Sequence, residues 1–483
     1  MAREILPILK IIGVLLIIMG AVMAIPALVD LAYDNQDWIV FAGSSGVSLF
    51  FGTSLVLSQN TPIERLSARQ ALLIVNLAWL GCAAVGSVPF MLSHLQMSVT
   101  DAMFESMSGI TTTGSTVLTG LDGLPPGILL WRGILQWLGG LGIIVTALSI
   151  LPALNVGGMQ MFKVEAFDID GKVFSRAGQI SAGLTAVYSL LTFIWMLALW
   201  FAGMNGLESA VHAMTTIATG GFSTSDGSIS HFDSALIEAI IICGMIAGGI
   251  PFLAYVRFAQ GRRSQLIRDA EIRAFLTILA FAALAVTLWL MVTMKMSVPE
   301  AFRYAAFNVT SVMTGTGYAS TDYYLWGAFP IAMLMFLTLV GGCTGSTACG
   351  MKVFRFQILF RAATIQLRRI IMPSSVENLE YKGKRVGDNT MASIQSYFYL
   401  FAISLAGLAI ALAATGLDLV TAISGAATAL ANVGPGLGEI IGPSGTFQPL
   451  PDSSKWLLTT GMYVGRLELL TVYALFTRMF WST

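Results

Sequence analysis

The sequence predicts an all-α polytopic membrane protein: two leading transmembrane helices, then four units of one plan. Three observations predict it. The 483 residues are 56% hydrophobic and only 11% charged, against roughly 25% charged in soluble proteins. Ten apolar runs reach membrane-spanning length, and four Gly/Thr-rich turns recur between successive runs. With Lys+Arg 26 against Asp+Glu 26, the balanced total gives no reason to expect a nucleic-acid partner. Cys82, Cys243, Cys343 and Cys349 lie in apolar or Gly-rich surroundings without metal-ligand spacing, which argues against a disulfide scaffold, a zinc site or haem attachment.

A bilayer core about 30 Å thick needs about 20 apolar residues as helix. Such runs lie near 5–29, 38–58, 70–93, 127–153, 179–203, 234–259, 273–296, 326–360, 392–415 and 454–480. The first lacks a small-residue cleavage site and reads as a retained span rather than a signal peptide. If Arg3 and Lys10 are inside, 21 of the 26 bases fall on the inner side, and the outer side keeps Arg132, Lys295, Arg303 and Lys455, with Arg466 inside a span. This bias predicts a cytoplasmic-membrane protein with both termini cytoplasmic. Acids such as Asp122 and Asp226 collect outside, where they either draw cations to the mouth or keep loops solvated.

The repeat follows the first two spans. Gly114, Gly221, Gly317 and Gly434 stand in register, 107, 96 and 117 residues apart. The stretches before them, 102–113, 209–220, 305–316 and 422–433, are rich in Ala, Met, Ser and Thr and too short to cross. They read as short helices that dip halfway into the membrane and return through extended backbone. The expected division is 1–69 for the leading spans and 70–176, 177–271, 272–389 and 390–483 for the four units.

Irregular backbone at membrane depth survives only where protein buries it or where it lines a wet cavity. Four such segments most simply surround one axis, giving a pseudo-four-fold pore. Small residues also serve close helix packing, but four clusters between spans, all on one side, favour the pore. The expected ion-contacting residues are Thr111, Thr112, Thr113 and Gly114; Thr219, Gly220 and Gly221; Gly315, Thr316 and Gly317; and Asn432, Val433 and Gly434. None is charged, which suits carbonyl coordination of potassium or sodium. Nine residues before each register glycine stand Glu105, His212, Asn308 and Gly425, expected to anchor the short helices rather than touch the ion.

The run 326–360 is too long for one crossing and carries Gly341, Gly342, Thr344, Gly345, Ser346 and Gly350 at its centre. Glycine costs about 1 kcal/mol against alanine in helix, so a break is expected, serving either as a moving constriction or as a closely packed kink. Cys343 and Cys349 read as small packing residues. The clusters 138–142 and 244–251 are helix-weakening as well, and are open to either reading. Arg466 in the last span needs a specific partner or a wet cavity, and is expected beside the break at 341–350, bonding its free carbonyls, the alternative being an arginine that snorkels toward the cytoplasm. Glu468, two residues on, should face elsewhere.

These residues resemble the Trk/Ktr/HKT superfamily of cation transporters, and most closely the membrane subunits (TrkH/TrkG) of bacterial Trk potassium-uptake systems. The carrying motifs are Thr111-Thr112-Thr113-Gly114, Thr219-Gly220-Gly221-Phe222, Thr314-Gly315-Thr316-Gly317-Tyr318 and Asn432-Val433-Gly434-Pro435. Trp137-Leu138-Gly139-Gly140 and the segment 341–350 belong with them. The resemblance covers essentially the whole chain. It implies four helix–pore-loop–helix units, K+ as the transported ion, a gating loop at 341–350 beside Arg466, a homodimer, and a TrkA-like cytoplasmic partner with Rossmann-type nucleotide-binding domains. Glycine at 114 rather than serine favours potassium. The chain has no glycine-rich nucleotide fingerprint of its own, and the basic stretches 257–273 and 352–385 are the expected docking faces. A coupled symporter with midplane half-helices is the alternative. An enzyme finds no support in any Ser/His/Asp, carboxylate or metal grouping.

Overall fold

The computed structural model describes residues 2–58, 67–149, 173–261, 264–375 and 377–482. Its helices are α1 (Ala2–Ala32), α2 (Trp38–Leu57), α3 (Ala68–Leu92), α4 (Val99–Ile110), α5 (Pro126–Ser149), α6 (Val173–Phe201), α7 (Gly206–Ile217), α8 (Ala235–Gly249), α9 (Phe252–Ala259), α10 (Ser264–Arg268), α11 (Ala270–Thr293), α12 (Val298–Thr314), α13 (Ala328–Val340) and α14 (Val353–Ile371). A hairpin of β1 (Glu380–Tyr381) and β2 (Lys384–Arg385) precedes α15 (Asp388–Ala414), α16 (Leu419–Ala431), α17 (Gly438–Ile441), α18 (Asp452–Arg466), α19 (Leu469–Leu475) and α20 (Arg478–Ser482).

Among the described residues, seven helices are long and apolar enough to cross a membrane: α1, α2, α3, α5, α6, α11 and α15. They match seven of the ten apolar runs. The other three runs are broken. Helices α8 and α9 meet at a 92° bend, where Gly249-Ile250-Pro251 removes both helix propensity and an amide donor. The run 326–360 splits between Val340 and Val353, as its glycines predict. The reading of 454–480 as one crossing needs correction, because α18 ends at Arg466 and Glu468 takes a left-handed φ of 61°. Polar partners for both residues outweigh continuation of the helix there. The cluster at 138–142 stays inside an unbroken α5, so in that unit the glycines serve packing: a Cβ on Gly139 would sit 1.9 Å from the Ile110 carbonyl oxygen.

The four short helices start where the sequence offers caps. The hydroxyl of Ser98 accepts the Asp101 amide, Asn205 and Glu208 form a capping box, and Asp418 accepts from Val420 and Thr421. Helix α12 has a proline in its first turn instead. Each short helix packs on the span before it: α4 on α3, α7 on α6, α12 on α11 and α16 on α15. Contacts then run onward from α5 to α7, α8 to α12, α13 to α16, and α18 back to α4, closing a ring. Helices α1 and α2 lie outside it, joined where a Cβ on Gly13 would come within 2.9 Å of the Gly52 carbonyl oxygen.

Candidate functional site

Each short helix ends in the same way. The amide two residues before the register glycine donates to the carbonyl three back: Thr112 to Gly109, Thr219 to Thr216, Gly315 to Val312 and Asn432 to Ala429, at 2.9, 3.0, 3.1 and 3.3 Å. The next amide donates five back: Thr113 to Ser108, Gly220 to Thr215, Thr316 to Ser311 and Val433 to Thr428, at 2.9, 2.8, 2.9 and 2.9 Å. Together these are Schellman caps, which require a left-handed residue just past the helix. Thr112, Thr219, Gly315 and Asn432 supply it, with φ of 52°, 49°, 76° and 51°. Threonine in this region is strained by about 1–3 kcal/mol, so two of the caps are held by their surroundings rather than by preference.

Beyond the caps the four turns meet one another. A Cβ added to Gly114 would lie 2.2 Å from the Gly220 oxygen, one on Gly221 1.8 Å from the Thr316 oxygen, one on Gly317 2.8 Å from the Gly434 nitrogen, and one on Gly434 3.1 Å from the Gly114 oxygen. All thirteen expected contact residues therefore belong to one cluster of adjoining turns. Two of their carbonyls are already engaged: Gln136 Nε2 donates to Gly220 O at 2.6 Å, and Ser115 Oγ to Gly434 O at 2.7 Å. Gln136 also accepts the Phe222 amide, and nothing in the sequence pattern singled it out. A cavity of about 300 Å³ adjoins the ring, lined by all four register glycines and by Asp226. The outer acids mainly order loops: Asp226 accepts the Gly120 and Leu121 amides at 2.8 and 3.2 Å. The Ser225 hydroxyl, ahead of the Asp226 amide and nearby His231, holds Asp122 below the usual carboxylate range.

Behind the ring, the polar residues nine before three of the register glycines tie the short helix to the segment leaving its turn. Glu105 accepts from the Thr116 hydroxyl and the Val117 amide, both at 3.0 Å. His212 Nδ1 meets the Glu208 carbonyl at 2.8 Å, and since a carbonyl only accepts, Nδ1 carries the hydrogen. Its Nε2 meets Ser223 Oγ at 3.0 Å. Asn308 donates to Ser320 Oγ at 2.9 Å, while Gly425, without a side chain, makes no such tie. Arg132, counted with the outer charges in the sequence, is instead buried at 1% exposure. It donates to Glu105 at 2.8 Å and to the Ser223 carbonyl at 2.8 Å, with its guanidinium 4.1 Å above the Phe222 ring. Acid and base stand 27 residues apart in the chain, and no local pattern marked them as partners.

Beneath the ring lies the loop between α13 and α14. Its Cys343 and Thr347 amides donate to Gly249 and Gly248, its Gly345 carbonyl accepts from Phe252, and its Gly350 amide donates to Ala431. Gly341, Gly345 and Gly350 take φ of 75°, 74° and 81°. Arg466 stands where the sequence expects it, donating to the carbonyls of Thr347 and Gly139 at 3.3 and 3.4 Å, and lying 2.9 Å from Cys349 Sγ. Cys349 is thus more than filler, because the guanidinium finds its sulfur as well as peptide oxygens. Glu468 pairs with Arg355 at 2.6 Å and not with Arg466. Arg355 and Lys352, expected on an inner docking face, are drawn inward: Arg355 is fully buried, and Lys352 bonds the Ala348 carbonyl. Arg262 and Arg263 lie outside the described residues. The cavity at this level is only about 30 Å³, lined by Thr344, Ser346, Asn432 and Arg466 among others.

Four capped short helices thus end in one ring, with a glycine-rich loop beneath, and comparison with known proteins identifies the family. Residues 39–483 match the family model TrkH, described as cation transport protein. The chain is 43% identical to the Trk system potassium uptake protein TrkI of Halomonas elongata, covering 98% of this chain and 96% of that protein. It is 36% identical to TrkH of Escherichia coli K12, covering 98% of both. The crystal structure of the potassium transporter TrkH from Vibrio parahaemolyticus superposes with a TM-score of 0.92 at 35% identity, over 99% of this chain and 100% of that one. Matching the family model over residues 39–483 and its relatives over nearly its full length, the chain belongs to the TrkH family of cation transport proteins.

Proposed function

We propose that the chain takes up potassium across the bacterial inner membrane, as a multi-pass protein with both termini cytoplasmic. The observation that carries this reading is the ring in which four Schellman-capped turns touch in cyclic order. Left-handed residues at the caps and at Gly114, Gly221 and Gly317 alternate with ordinary ones, and such alternation turns successive carbonyls to one side, replacing the water of a monovalent cation. The four helix–pore-loop–helix units form a pseudo-four-fold pore, with carbonyls of the thirteen named residues as its selectivity filter. Those of Gly220 and Gly434 act mainly in holding the ring together. No group of three or more His, Cys, Asp or Glu able to hold a metal occurs among the described residues, which fits a neutral site for K+ better than one for a divalent ion. Relatives whose names carry potassium uptake support the choice of ion.

The loop at 341–350 and Arg466 form the gate. The narrowness of the cavity beside them supports this role, as does a cationic barrier in the ion's path. The chain works as a homodimer under a TrkA-like cytoplasmic subunit with nucleotide-binding domains, docked on the exposed bases of the inner loops. The test is rubidium uptake in cells lacking their own potassium uptake systems. The parent should rescue growth at low external potassium, and Gly114→Ser and Gly317→Ser should admit sodium more freely. Unchanged discrimination in both variants refutes the filter assignment.

A further inference from the structure

We propose that Glu271 is a positioning residue for the loop at 341–350, and that Lys382, on the hairpin outside the spans, sets its grip. The proposal rests on the pore-and-gate reading above and adds what controls the gate. Glu271 is the second residue of α11 and is fully buried. One carboxylate oxygen accepts the Thr344 amide at 2.6 Å, in the middle of the loop. The other has no hydrogen-bond partner among the described residues and lies 3.6 Å from Lys382 Nζ. A buried charge left without its partner is strongly unfavourable, so the state of Glu271 depends on where that ammonium sits.

Lys382 is at the turn of the hairpin, with φ 49°, and its Nζ also bonds Asp269 at 2.8 Å. Asp269 in turn caps α11 through the Glu271 and Ile272 amides. The hairpin is seated firmly on α14: Tyr381 donates to Gln357 at 3.1 Å, and Arg361 to the Glu380 carbonyl at 2.6 Å. A continuous path of polar contacts therefore runs from an exposed hairpin, through Lys382 and Glu271, to a backbone amide of the loop. Withdrawing Lys382 leaves Glu271 to take up a proton or turn toward water. Either weakens the charge-assisted bond to Thr344 and frees the loop to move.

The experiment uses the purified full chain in liposomes, read by rubidium flux and by hydrogen exchange of the segment containing Thr344. Lys382→Met and Glu271→Gln should each raise flux about fivefold and speed exchange at the loop, and the double variant should match the singles rather than multiply them. Lys382→Arg should restore the parental values. Parental flux and exchange in Lys382→Met, or independent effects in the double variant, overturn the proposal. If Glu271→Gln does not fold, Lys382→Met against Lys382→Arg decides it by exchange alone. A parent that carries no rubidium while its loop still responds to Lys382→Met sinks the transport reading and leaves the latch. A conducting parent indifferent to Lys382→Met sinks only the latch.

Discussion

Glu105 and Arg132 show how much one residue can hold. Both are essentially unexposed, and the pair joins the first short helix to the segment leaving its turn and to the carbonyl of Ser223 in the next unit. Removing one member of a buried, bonded pair leaves the other charge unpaired and costs about 3–5 kcal/mol. Glu105→Ala should therefore lower the unfolding temperature in detergent sharply, while Glu105→Gln, which keeps an acceptor for Arg132, should lose less. Equal melting of parent and Glu105→Ala would show that the pair does not hold the ring. Asn432 does two jobs of another kind, taking the left-handed cap position and donating to the Met462 carbonyl at 2.8 Å and to Thr113 Oγ1 at 3.0 Å.

Among the elements, the question is how closely a short helix and a span approach. Helix α5 passes so near the end of α4 that Gly139 has no room for a methyl group, whereas a methyl added at Gly81 in α3 would meet nothing within 4 Å. Gly139→Ala should reduce the yield of folded protein or its melting temperature, since the obstacle is backbone and cannot turn aside. Gly81→Ala should be neutral or slightly stabilising by reducing the freedom of the unfolded chain. Similar melting for the two variants would deny Gly139 its packing role. Local propensity also explains two of the broken spans. At 341–350 glycine announced the break, and at 249–251 glycine and proline left it open, but the end of α18 is set by Arg466 and Glu468 finding separate partners, which no local propensity encodes.

Across the whole molecule, Arg466 links parts far apart in sequence, reaching Gly139 of the first unit and Thr347 and Cys349 of the third from a helix of the fourth. If it stands in the proposed ion path, Arg466→Ala removes both a positive barrier and bonds worth about 1 kcal/mol each. Rubidium flux should then rise several-fold or lose its response to the regulatory partner. Flux and regulation unchanged from the parent would take Arg466 out of the gate. The ring itself depends on the entire chain: Gly114 and Gly220, or Gly317 and Gly434, touch only because four distant turns converge.

Much of this was legible in the sequence. Apolar run length pointed to ten spans, seven of which are continuous helices among the described residues, since the cost of unpaired peptide groups in hydrocarbon leaves few other choices. The register glycines were readable because turns select residues locally, whereas the threonines that close two of the short helices are held by their surroundings. Composition and local pattern thus specify the membrane class, the short helices and the membership of the turns. Three-dimensional packing had to settle that Arg132 and Arg355 are buried, that Lys352 turns back to the Ala348 carbonyl, that Gln136 and Ser115 brace two carbonyls, and that Glu271 reaches the loop. These are pairings between polar groups remote in the chain, and a charged residue carries no sign of its partner until folding removes the water around both.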